Sequence, residues 1–70
     1  MVPLTMVKTG KTVTVGRITG KDGVRQHLAE LGFVVGSDIT VVSEVSGNVI
    51  VQVKDSRVAL DRTMANRIMV

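Results

Sequence analysis

The apolar positions follow two different periods. Thr12-Val13-Thr14-Val15 alternates small polar with β-branched residues, which predicts a half-buried strand. Gly16 interrupts the run and throws Ile18 out of phase with Val13 and Val15, so a bulge or sharp bend at Gly16 is expected to return Ile18 to the core face. After the loop Thr19-Gly20-Lys21-Asp22-Gly23 the period lengthens. Val24, Leu28 and Leu31 stand at i, i+4 and i+7, the single apolar stripe of a helix over about 23–31. Asp22 is the expected N-cap. Gly32 is expected to stop the helix in a left-handed conformation, and Phe33 to fold back onto Leu28.

Period two then resumes. Asp38 to Val45 predicts a strand with Ile39, Val41 and Val45 on one face, although Ser43 breaks the pattern. Gly47-Asn48 is a two-residue hairpin signal, because both residues tolerate positive φ. Val49, Val51 and Val53 share one side of the returning strand, Asp55-Ser56 turns the chain, and Arg57–Leu60 forms a further strand. Asp61 caps a final helical turn or two carrying Met64, Ala65 and Ile68, and 68–70 closes the sheet. Short strands, tight turns and one inserted helix predict a mostly β fold. A small SH3-like β-barrel with one inserted helix and a short C-terminal helical segment fits this length.

The chain has 70 residues, which makes residues 1–70 a single small domain with a modest stability margin. It has no cysteine to staple it or to hold metal as thiolate, which fits a reducing compartment. No apolar run approaches the roughly 20 residues that cross a bilayer, and the start, Met1-Val2-Pro3-Leu4-Thr5, is unlike a signal peptide. The expected location is cytoplasmic. The formal charge of +3 permits contact with an acidic protein, nucleic acid or lipid headgroups. Phe33 is the one aromatic residue. Stacking platforms for single strands and grooves for proline-rich peptides need several.

Candidate chemistry is thin. Thr9-Gly10-Lys11-Thr12 ends like a phosphate loop, but Thr5 stands where the upstream glycine belongs and a strand follows, not a helix. Gly16 to Gly20-Lys21 is one residue short, and Asp22 would repel phosphate. His27 and Glu30 lie one helical turn apart and are weak candidates for a divalent transition metal. A site normally needs three or four protein ligands, and no second histidine exists. The carboxylates fall mostly in turns and caps, and no nucleophile stands beside a base. No catalytic activity and no cofactor are expected. Five arginines remain, at 17, 25, 57, 62 and 67, each suited to bidentate carboxylate or phosphate contacts.

The run Val24-Arg25-Gln26-His27-Leu28-Ala29-Glu30-Leu31-Gly32-Phe33, followed by Gly36, resembles the V-R-x-x-L-x-x-L-G-L/F-x-x-G segment of the FeoA family. Leu4, Gly10 and Ile18-Thr19-Gly20 resemble the family's start. Ser56-Arg57-Val58-Ala59-Leu60, then Ala65 and Ile68, resemble its end. Three positions depart from the pattern. Thr9 and Val35 stand where proline is frequent, and Asp55 stands where glycine is frequent, in a turn that aspartate can tolerate. The resemblance implies an SH3-like barrel similar to the C-terminal barrel of DtxR-type metal-dependent repressors. It also implies a cytoplasmic accessory protein of ferrous iron uptake, acting with the cytoplasmic region of FeoB, a membrane permease with a GTP-binding domain. It brings no catalytic residues with it. On this reading the partner surface is the outer face around Arg25 and Ala29, with Arg57 at the strand turn. Rival readings are a nucleic-acid-binding barrel, a metal-responsive domain using His27 and Glu30, and self-association through a sheet edge.

Overall fold

A computed structural model describes residues 1–70. The chain forms six strands and two helices: β1 (Thr12–Thr14), β2 (Arg17–Ile18), α1 (Asp22–Glu30), β3 (Asp38–Val45), β4 (Asn48–Val53), β5 (Ser56–Leu60), α2 (Arg62–Ala65) and β6 (Ile68–Met69). A 3-10 turn at Leu4–Met6 precedes them. One antiparallel sheet has the order β1-β3-β4-β5, and a second pairs β2 with β6. The expected mostly β architecture is therefore present, with its inserted helix and its short C-terminal helical segment.

The bend at Gly16 is what divides the two sheets. Val15 still belongs to the first, its amide donating to Ser37 O at 2.9 Å. The Gly16 amide donates to Met69 O at 2.8 Å, in the second sheet. As expected, the offset turns Ile18 back toward the interior, where it packs against the core. The second sheet also takes in the start of the chain. Val2 and Val70 exchange both backbone hydrogen bonds at 2.8 Å, and Pro3 bridges to Met69. This tie places Leu4 in the core with no exposure.

The core is entirely apolar. Its twelve buried residues include Leu4, Val15, Leu28, Phe33, Val51 and Ile68, and no polar or charged side chain is buried. The alternation in β4 is clean, with Val49, Val51 and Val53 buried and Ile50 and Gln52 half-buried on the other face. Such alternation marks a strand packed on one side.

Four details differ from the sequence reading. Asp22 is the first residue of α1 and does not cap it. The Lys21 carbonyl already accepts the amides of Val24 and Arg25 at 3.0 and 3.1 Å, so Lys21 is the N-cap and offers no side-chain bond. Asp22 still suits the first turn, where the helix dipole favours a negative charge. Val45 leaves the core face and is 55% exposed. Val41 pairs with Val51 but Ser43 pairs with Ile50, so Val42 is an extra residue. That bulge reverses the facing of everything after it.

The hairpin loop is Ser46-Gly47, with φ of 50° and 82°, and Asn48 already pairs with Val45. Both loop residues then hold the positive φ that a type I′ turn needs. In the next turn Lys54, at φ 53°, takes the left-handed conformation, not Asp55, and β5 begins at Ser56. A left-handed residue with a Cβ costs roughly 1–2 kcal/mol. Lys54→Gly should therefore raise the urea midpoint by the equivalent of about 0.5–1 kcal/mol, once glycine's greater unfolded-state entropy is subtracted. A lowered midpoint would show that the lysine is not strained.

Candidate functional site

With the interior sealed by apolar side chains and no pocket on the surface, the chemistry available to the molecule lies on its outside. The helix that carries most of the candidate residues owes its position to its C-terminal cap and its apolar stripe. At its C-terminus the Gly32 amide donates to Ala29 O and the Phe33 amide to Leu28 O, both at 2.9 Å. These are the two bonds of a Schellman cap, with Gly32 at φ 105° in the role glycine fills best. Phe33 is fully buried, as is Leu28. Val24 and Leu31 are half-buried against the same core. The predicted stripe thus faces inward, and the rest of α1 is forced outward.

Arg25 and Ala29 lie on that outward surface, one turn apart, and both are exposed. The Arg25 guanidinium stands 3.9 Å from the Asp22 carboxylate. In open solvent a pair of this kind contributes at most about 0.5 kcal/mol, so it steers the side chain without committing it. Arg57 is exposed on β5, where its Nε–H donates to Gln52 Oε1 across the sheet at 3.1 Å. Gln52 Nε2 in turn donates to Lys54 O at 3.0 Å. This short chain of bonds lays Arg57 along the outer face of the sheet. The structure brings Arg25 and Ala29 together on one helix and puts Arg57 on a separate element.

His27 and Glu30 are both exposed on α1. No further carboxylate converges with them to complete a group of three metal ligands. The remaining polar contacts are structural. Asp61 accepts the Met64 amide at 2.8 Å and caps α2 as expected. Thr14 donates to Asp38 at 2.7 Å, and Arg62 pairs with Glu44 at 3.6 Å. Because Phe33 is inside, the surface offers no aromatic platform on which bases could stack. No helix is long and apolar enough to cross a membrane.

One grouping escapes a linear reading. The pairing of β2 with β6 sets Arg17 opposite Met69 and Ile18 opposite Ile68, and the Thr19 amide donates to Arg67 O at 2.8 Å. Arg17 and Arg67 thereby come to neighbouring positions on the ribbon. Nothing local in the sequence signals this, since the two residues lie near opposite ends of the chain.

The comparisons with known proteins agree with this geometry. A model of the FeoA domain matches residues 2–70. A protein of Methanocaldococcus jannaschii, provisionally named Fe(2+) transport protein A, is 37% identical over 70 residues, covering 100% of this chain and 85% of the relative. The crystal structure of an iron uptake regulatory protein, FeoA, superposes with a TM-score of 0.91 at 33% identity, covering 99% of this chain and 92% of the other. The zinc complex of Stenotrophomonas maltophilia FeoA, described as a prokaryotic SH3 domain protein, superposes with a TM-score of 0.87 at 26% identity over 100% and 89% of the two chains. A mostly β barrel that matches the family model over nearly its whole length, and keeps the glycine-capped helix on which the resemblance rested, belongs to the FeoA domain family of ferrous iron transport proteins.

Proposed function

We propose that this chain is a non-enzymatic, cytoplasmic accessory protein of ferrous iron uptake that binds the cytoplasmic region of a FeoB-type permease and modulates transport. The observation that carries the reading is the family match over residues 2–70. The structure supports it physically: an interior without polar groups and a surface without a pocket leave contact as the available mode of action. The Stenotrophomonas maltophilia relative is described as a candidate activating factor of bacterial ferrous iron transport, and modulation is the corresponding role here.

The docking surface in this proposal is the outward side of α1 around Arg25 and Ala29, with Arg57 as a second contact. An immobilised permease cytoplasmic region, presented nucleotide-free and with guanine nucleotides, should retain this chain in at least one state. Absence of association in every state would refute the reading. Arg25→Glu should weaken that association at least tenfold. Its effect on folding should stay within about 0.5 kcal/mol, because the site is exposed and the new neighbour of Asp22 adds only a weak i,i+3 repulsion. If Arg25→Glu left binding unchanged, the helix would be removed from the docking surface.

A further inference from the structure

The four-stranded sheet ends at β5, and part of that strand's backbone has no partner. Val53 and Ser56 flank the turn Lys54-Asp55 and pair directly. They are a hydrogen-bonded pair, and bonded and non-bonded pairs alternate from there along the ladder. Val51–Val58 and Val49–Leu60 are bonded in turn. The amides and carbonyls of Arg57 and Ala59 therefore point away from β4, and no backbone bond from outside the sheet reaches them. Both residues are exposed. Asp61 prolongs this edge, because its backbone is still extended and its amide donates to no other backbone group.

An open edge is normally protected by a proline, a bulge or a charge. β5 has no proline, and its register against β4 runs without a shift. Its one charged side chain, Arg57, is laid along its own sheet by Gln52. At the other end of the sheet β1 is only three residues long, and its Thr12 and Thr14 hydroxyls are already bonded to the side chains of Thr40 and Asp38.

The β5 edge is also complementary to itself. About a two-fold axis at Ala59, antiparallel copies of β5 set Ala59 against the partner's Ala59 and Arg57 against the partner's Asp61. The latter contact occurs once on each side of the axis. Within the chain the Arg57 guanidinium uses only Nε, and the Asp61 carboxylate uses only Oδ1, which accepts the Met64 amide at 2.8 Å. A guanidinium nitrogen and a carboxylate oxygen are left to meet across the interface. Residues directly opposed in an antiparallel pair project to one face at ion-pair range.

We infer that the chain forms a symmetric dimer through β5, which joins the two four-stranded sheets into one. The Ala59 backbone groups bond both ways across the axis, and each Asp61 amide donates to the partner's Arg57 carbonyl. Any extended strand could satisfy the backbone. The placing of Arg57 and Asp61 at equal distances on either side of Ala59 is what selects a second copy, as an isologous contact requires. Because Arg57 also belongs to the proposed permease contact, the two associations exclude each other at that residue. The inference does not rest on the permease, and the purified chain tests it alone.

In sedimentation equilibrium the mean mass should rise with concentration from one chain toward two and level off there. In the concentrated sample the Ala59 and Asp61 amides should exchange with solvent several-fold more slowly than in the dilute one, and the Thr12 and Thr14 amides at an unchanged rate. Arg57→Asp should weaken the dimer at least about tenfold, since it opposes like charges on both sides of the axis, and Asp61→Arg should do the same. Mixed in equal amounts, the two variants should recover most of the parent's association, because each charge again meets its opposite. Arg25→Glu makes the same change of charge on α1 and should leave the mean mass unaltered. Unfolding midpoints identify a variant that has not folded. If Asp61→Arg, which also loses the cap of α2, is one, the exchange of the parent's amides and Arg57→Asp decide the matter. A chain that stays monomeric up to millimolar concentration would overturn the inference. So would a mass that climbs past two chains, the mark of open-ended pairing of β5 with β1. Undiminished association of Arg57→Asp, a folded mixture no more dimeric than its components, or slowed exchange at Thr12 in place of Ala59 would each overturn it too.

Discussion

Replacing Phe33 by alanine is expected to lower the thermal midpoint by about 12–40 °C, the largest effect of any single substitution considered, because truncating a buried phenylalanine costs about 3–5 kcal/mol and each kcal/mol is worth about 4–8 °C in a domain of this size. Phe33 is fully buried, and it is also the residue whose amide closes the helix cap on Leu28 O. The ring therefore does two things. It fills the centre of a core that has no other aromatic, and it anchors the end of α1 to that core. A chain of this length has a total stability of only about 4–10 kcal/mol, so the variant should be partly unfolded at 37 °C. Calorimetry or far-ultraviolet circular dichroism through the transition would measure it. A midpoint within a few degrees of the parent would mean that neighbouring side chains had collapsed into the space, and that the core is more plastic than its close packing implies.

Gly32→Ala should be the second largest, at about 1–3 kcal/mol, for a backbone reason. At φ 105° the residue lies beyond the left-handed helical region that other residues visit. An added Cβ would also come within 3.1 Å of Val53 Cγ2, on the buried face of β4. Relief of either strain would disturb the two capping bonds and loosen the end of α1. The urea midpoint should fall with little change in its slope, as for a pure loss of native stability. Because α1 presents Arg25 and Ala29, the same variant should also weaken association with the permease region, whereas Lys54→Gly should not. An alanine variant as stable as the parent would show that the backbone can leave this conformation freely.

Much of the architecture was legible because it rests on local rules. The change from period two to period three to four placed α1. The Leu31-Gly32-Phe33 sequence announced a left-handed cap with a hydrophobic residue after it, and the observed bonds are the ones that motif makes. Asp61 as the cap of α2 and the clean face of β4 were readable in the same way. These features involve residues within one turn or one hairpin of each other, so the side-chain pattern and the backbone preference agree without outside help. The candidate surface around Arg25 and Ala29 was equally legible as a helix face, since knowing which stripe is apolar tells which side is left over.

What the sequence by itself determined was the set of elements and the inward apolar stripes. Only the tertiary structure decided the rest. The bulge at Val42 sends Val45 outward, and the hairpin phase puts the turn on Ser46-Gly47. In both cases alternatives one residue apart have nearly equal local cost, and pairing against β4 selects between them. The joining of Val2 to Val70 and of Arg17 to the neighbourhood of Arg67 is decided at a longer range still. Such contacts form only when the ends of the chain meet, and no local propensity encodes them. Their energy comes from burying Leu4 and Ile68 together in one apolar interior.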